Sequence, residues 1–108
     1  EFKIIKIETN AQNLYGWVAL SNTDQPIGHI FMQEELDKKI KFMDAWVSEE
    51  FRRQGIFASL WETRWEFVKE NFKGYKAYAW SLPTSQHLLR KKGFEEGDTC
   101  IYMEKIIK

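Results

Sequence analysis

The chain has 108 residues, enough to bury one hydrophobic core without disulfide or metal support, and its 44% apolar and 16% aromatic content excludes a disordered chain. Sixteen basic residues balance sixteen acidic ones, so overall charge draws in neither nucleic acid nor an anionic membrane, and any anion site must be local. The lone cysteine, Cys100, forms no internal disulfide, and His29 and His87 stand too far apart for metal-ligand spacing, so no metal is expected. No apolar run approaches the roughly 18 residues of a membrane span. The amino terminus lacks a basic-then-apolar secretion signal, and the expected setting is a reducing cytoplasm with no membrane partner. Glu1 opens the chain, and the first one or two residues are assigned no role.

Residues 2–8 read as a strand and residues 14–20 as a second, joined only by the polar residues 9–13. The turn formers from Ser21 to Pro26, followed by strand character from Ile27 to Met32, predict an antiparallel hairpin over 14–32. A polar connection, 33–39, leads to residues 40–47, which are apolar on both alternating faces except at Lys41 and Asp44. That pattern predicts a central strand covered on both sides. From Ile56 to Phe72, apolar Phe57, Leu60, Trp61, Trp65, Val68 and Phe72 recur at steps of three and four, with Gly74 as the stop: an amphipathic helix. Residues 75–80 form a short aromatic strand, and Pro83 and Thr84 open a second helix through about Lys92, which Gly93 ends. Residues 94–98 make a turn-rich link, and 99–107 close the chain as a strand with Ile101, Met103 and Ile106 inward. The order of elements predicts a mixed sheet of the α+β (α/β) class with packed helices, and the absence of linkers predicts a single domain over 1–108.

The most informative stretch is Trp46 to Ala58, where an apolar strand runs through a basic, glycine-containing loop into the long helix. Gly55 lets the backbone turn tightly and approach a ligand, and the first helical turn exposes amides without intrahelical partners. Phosphates bind well at such a terminus. Arg52 and Arg53 add two cationic forks at the rim, and Ile56 to Leu60 carry no acid to repel an anion. A Walker-type loop is excluded because Ile56 and Phe57, not Lys and Ser/Thr, follow Gly55, and a dinucleotide fingerprint fails with one glycine.

The run Arg52-Arg53-Gln54-Gly55-Ile56-Phe57 resembles the pyrophosphate loop of the GNAT N-acetyltransferase superfamily, Gln/Arg-x-x-Gly-x-Gly/Ala at a strand-to-helix junction. Residues 47–51 resemble that family's fourth strand and its exit, and residues 88–94 its last helix and turn. The resemblance spans roughly residues 14–107 and implies a mostly antiparallel central sheet, although the short 9–13 connection has no room for the two helices that many members place after strand one. It also implies acetyl-CoA as cosubstrate. Main-chain amides from Gln54 through Gly55, Ile56 and Phe57 to Ala58 would hold the pyrophosphate, with the pantetheine arm along Trp46 and Val47. The acetyl group would pass to a primary amine, on a small molecule or a peptide, by direct attack, with the carbonyl polarised by a main-chain amide near Val47.

Four departures stand out. Phe57 replaces a small residue, so its ring must turn into the core beside Leu60 and Trp61. Leu89 occupies the place of the tyrosine that protonates the departing thiolate. The asparagine that holds the pantetheine arm aligns near Leu82, leaving neighbouring Ser81 as the polar candidate. The missing amino-terminal helices leave the acceptor side open, or completed by a second chain, as in a homodimer. These departures sustain an alternative, a weakened domain of the same fold that binds CoA or a protein partner without turnover.

For the general base, Asp44 is the first candidate, since a carboxylate on an apolar central strand is desolvated and its pKa raised; the alternative is a structural aspartate. Glu49 and Glu50 at the strand exit compete with it but read equally as solvated loop carboxylates. Tyr78 is a candidate acid or acceptor-site wall, against simple packing, and His29 a further base against a packed or surface histidine. Trp61 and Trp65 fall on the helix core face, whereas Trp17, Trp46 and Trp80 are either core or a grip for an apolar acceptor. Lys38, Lys39, Lys41, Lys91 and Lys92 read as solvated, and nothing near Cys100 activates a thiol.

Overall fold

The structure is a computed structural model that describes residues 1–80, 90–93, 95–96 and 102–107, with the main chain alone at 44, 80, 95–96 and 102–104. Seven strands, β1 (Phe2–Ile7), β2 (Leu14–Ser21), β3 (Pro26–Glu35), β4 (Lys39–Val47), β5 (Lys76–Trp80), β6 (Glu95–Glu96) and β7 (Tyr102–Ile106), flank the helix α1 (Ile56–Asn71) in sequence. They form one sheet in the order β1-β2-β3-β4-β5-β7-β6. Every neighbouring pair is antiparallel except β4 and β5, the pair that α1 connects. A parallel pair requires such a crossover, and here the helix supplies it.

The core lies between the sheet and α1. Inward residues of the strands (Trp17 and Ala19, Ile30 and Met32, Ile40 and Phe42, Ala77) form one buried cluster with Ile56, Leu60, Trp61 and Val68 of the helix. Alternation along each strand and steps of three and four along α1 give the two periods that allow these faces to meet. Rings lock the contact: Trp17 meets Phe67 edge-on at 5.3 Å and Phe42 meets Trp61 at 5.6 Å. Trp61 is therefore core and Trp65 half-buried beside it, with Phe42 at 6.3 Å. Phe57 packs toward Trp61, 6.3 Å between rings, as its position in the loop pattern requires.

Several expectations are corrected. Among the described residues β4 is covered by α1 on one face only; on the other, Trp46 is 45% exposed and stacks with His29, which in turn meets Phe31. Residues 33–35 continue β3 instead of forming a loop. The hairpin closes tightly because Asp37 and Lys38 both adopt left-handed φ, which lets Glu35 pair with Lys39. Polar side chains at 33–35 hid strand character that backbone pairing supplies. Glu95 and Glu96, expected in a turn-rich link, pair with β7. In the closing strand, Ile107 is buried and Ile106 is 46% exposed, because Ile107 is tied to Tyr75 through its own N–H at 2.7 Å. Of the expected second helix, Arg90 and Lys91 are helical; its remainder, Ile101 and Cys100 lie outside the described residues, as do the side chains of Trp80 and Met103.

Gly28 of β3 sets how closely α1 approaches. A Cβ there would lie 3.1 Å from the Trp46 carbonyl oxygen and 3.3 Å from Ile56, so the first helical turn rests on bare backbone. Gly28→Val should overpack this contact and destabilise the fold by about 1–3 kcal/mol, measured as a lower urea midpoint at unchanged slope. An unaltered midpoint would mean that the helix start is not held by this contact.

Candidate active site

β4 and β5 pair at only three rungs, Lys39 with Lys76, Ile40 with Ala77 and Lys41 with Tyr78. Beyond them β4 follows β3 to Val47 while β5 follows β7, and the parallel strands part. The gap lies at their carboxyl ends, where crevices in sheets with parallel strands collect ligands. A cavity of about 430 Å³ sits there, bounded by Ala45, Trp46 and Val47 on the strand side. Phe51, Arg52, Arg53 and residues 55–58 form its other wall.

The loop that reaches this cavity begins with a 3-10 turn, Glu49–Phe51, and contains two left-handed residues, Arg53 (φ 68°) and Gly55 (φ 81°). Gly55 is the N-cap of α1, and no side chain caps the helix. The first-turn amides thus face the cavity mouth without an intrahelical acceptor, and the helix dipole adds partial positive charge there. A Cβ on Gly55 would meet nothing within 4 Å, so open space lies in front of the glycine.

Main-chain geometry also aims an amide inward. Ser48 N–H donates to the Ile27 carbonyl at 2.8 Å across the β3 side. Successive amides of an extended strand point to opposite edges, so the N–H and C=O of Val47 face the side that β5 has vacated. The Val47 carbonyl accepts a hydrogen bond from Arg52 Nε at 3.1 Å. Both arginines expected at the rim line the cavity, and Arg52 also uses its Nε to tie the loop to the strand it has just left. Upstream, His29 faces Trp46 but Phe31 faces Met43, so Ile30 opposes both Asp44 and Ala45. This β-bulge reverses the alternation, and Val47 is buried where Ile40 and Phe42 were buried before it.

The candidates named from sequence therefore separate. Trp46, Val47, Arg52, Arg53, Gly55, Ile56, Phe57 and Ala58 line one cavity, and Gln54 sits exposed within the same loop. Asp44 lies at the bulge, with its side chain outside the description, as are Ser81, Leu82 and Leu89 altogether. Tyr78 is buried on the last rung of the β4–β5 pair, and its hydroxyl donates to the Glu35 carboxylate, which engages it at the closed end of the cleft. Glu49 and Glu50 are exposed. Among the described residues no cluster of His, Cys, Asp or Glu could hold a metal, and no helix is long and apolar enough to cross a membrane.

One residue was missed. Arg64 lies on the inward face of α1, 2% exposed, with its guanidinium 3.8 Å over the Phe42 ring and 4.6 Å from Trp61. Burial pushes its pKa down to about 9, which leaves it charged at neutral pH. The signal was legible: Leu60, Arg64 and Val68 share one helical stripe at steps of four.

Removing the Arg52 side chain deletes a hydrogen bond worth about 1 kcal/mol, so Arg52→Ala should lower the thermal midpoint by a few degrees. Equal midpoints for variant and parent would show that the contact with Val47 contributes nothing to stability.

The sequence matches the Acetyltransferase (GNAT) family over residues 2–94. Solved structures agree on the fold. The ribosomal-protein-S18-alanine N-acetyltransferase of Escherichia coli superposes with a TM-score of 0.82 at 14% identity, covering 100% of this chain and 95% of that one. Tetrahymena GCN5 gives 0.71 at 15% identity, over 91% and 71% of the two chains. The Escherichia coli GNAT protein YhbS, solved in complex with CoA, gives 0.70 at 19% identity, over 87% and 59%. No curated protein sequence matches significantly. A parallel pair that parts after three rungs, an uncapped helix at the opening and a family match across most of the sequence lead to one conclusion: the chain belongs to the GNAT acetyltransferase family.

Proposed function

We propose that this protein is an N-acetyltransferase that moves an acetyl group from acetyl-CoA to a primary amine by direct attack. The observation that carries the reading is the cavity at the parting strands, with an uncapped helix start on one wall and the β4 main chain on the other. The amides from Gln54 to Ala58 suit a diphosphate, which needs donors and positive potential but no particular side chain. The apolar wall at Ala45, Trp46 and Val47 suits the pantetheine arm, and Ser81, next after β5 in sequence, is its polar candidate.

The reaction joins the amine nitrogen to the acetyl carbon and breaks the carbon–sulfur bond. The amine must lose a proton and the thiolate must gain one. The Val47 N–H, on the vacated side of β4, is the donor for the developing oxyanion; such donors contribute about 2.7–4 kcal/mol in other acyl transfers. Asp44, at the bulge three residues before this amide, is the proposed base. Tyr78 is a weaker candidate for the acid than its sequence position suggested, because its hydroxyl is already engaged by Glu35. A thiolate leaves without strong assistance, so Leu89 in the tyrosine position slows transfer but does not forbid it.

Two outcomes check this. Gly55→Arg places a bulky side chain in the open space before the helix and strains a left-handed residue by about 1–2 kcal/mol. The folded variant should lose CoA binding by calorimetry, and retained affinity would remove the cradle. Asp44→Asn should lower kcat by about 10²-fold or more with little change in CoA affinity, and a fully active variant would release Asp44 from the mechanism. Release of free thiol is to be followed across polyamines, amino acids, aminoglycosides and protein amino termini. Tight CoA binding with no acceptor in that set would favour the alternative, a CoA-binding interaction domain.

A further inference from the structure

Arg64 is the one charged side chain buried among the described residues. An apolar residue in its place would fill the layer between α1 and the sheet with no charge to desolvate, so stability alone gives no reason for it. Its Nη1 donates to the main-chain carbonyl of Phe31 at 2.9 Å, while its Nε has no hydrogen-bond partner among the described residues. The position of that carbonyl supplies the reason. Phe31 pairs with Met43 on the first regular rung beyond the bulge, where Ile30 opposes Asp44 and Ala45. A bulge disrupts the ladder locally, and nothing in strand pairing fixes which residue is the extra one. Moving the extra residue along β4 would exchange the faces of the residues it passes, placing Trp46 where Val47 now packs. The guanidinium binds one edge of the bulge through Phe31 and stacks on Phe42, the last buried residue before it.

We propose that Arg64 is a positioning residue that pins the β4 bulge between Met43 and Trp46, and thereby sets the main chain from Ala45 to Val47 that walls the cavity. The kinetic part of this proposal rests on the acetyltransferase reading; the structural part does not. A fork reaching from a helix to a β-carbonyl acts at one rung, whereas hydrophobic packing acts over a whole face. Charge is retained in the core because it carries a bond that an alkyl chain cannot make.

The test uses the whole chain with Arg64→Met and Arg64→Gln, the second keeping a donor without the charge. Amide hydrogen exchange and ¹⁵N shifts of residues 43–47 are read with CoA affinity, kcat and KM. Arg64→Met should hold or raise the thermal midpoint, yet exchange at 43–47 should rise about tenfold or more. CoA affinity, which rests on the α1 terminus, should change less than about threefold, and kcat should fall about tenfold or more. Arg64→Gln should restore most of the protection and of kcat. Wild-type exchange and kcat in Arg64→Met would overturn the proposal. So would a loss of stability that leaves 43–47 unchanged relative to the rest of the sheet. If Arg64→Met fails to fold, exchange in Arg64→Gln decides. If the parent binds CoA but acetylates nothing, the reading of its function fails, and exchange at 43–47 still decides the role of Arg64.

Discussion

The structure turns on the rung between Lys41 and Tyr78, the last at which β4 and β5 pair. Parallel strands that stayed together would spend the main-chain groups of their facing edges on one another. Because they part, the β4 backbone from Ala45 to Val47 keeps donors and acceptors facing a gap, in a place where α1 already presents its free amides. Burial of the apolar stripe of α1 against β2, β3 and β4 holds the helix at that gap, and Gly28 lets it come close. The same packing that stabilises the domain thus assembles the wall of the cavity.

The cavity brings the main-chain amides of a helix start against an apolar strand wall. Arg52 binds back to Val47, and the chain has no net charge with which to attract an anion from a distance. The uncapped start of α1 adds partial positive charge from main-chain amides at the cavity beside Arg53, a local source that needs no net charge. It also explains why Phe57 is tolerated where a small residue is usual. Its ring packs toward Trp61, and the amide it leaves behind belongs to the helix terminus regardless of side chain.

The sheet is asymmetric. One face carries α1 and the core; the other presents Phe31, His29 and Trp46 as a row of touching rings that ends at the cavity. The residues 9–13 between β1 and β2 are too few to hold a helix over that face. Among the described residues this row of rings has no helix over it.

Much was legible from the residues. The alternation in 14–20 and 40–47, the three-and-four spacing from Ile56 to Phe72, and Gly55 before an acid-free helix start are local patterns, and local patterns fix local structure. Eight of the residues named for the cofactor do meet at one cavity, because a strand, a loop and a helix start are contiguous in the chain. What failed was non-local. Residues 33–35 read as a polar loop until pairing with β4 made them strand, and Ile106 read as inward until Tyr75 fixed the register on Ile107.

Sequence by itself determined α1, strands β1 to β5 apart from the end of β3, and their order, since propensity and periodicity act within a few residues of each position. Tertiary structure alone decided that β4 and β5 part after three rungs, that Arg52 turns back on Val47, that Glu35 engages Tyr78 and that Arg64 reaches Phe31. Three of these join different elements, and Arg52 depends on where the loop after β4 is laid. No property of either partner read alone specifies such a bond; it exists only once burial has brought the backbones together and left a polar group that must be satisfied.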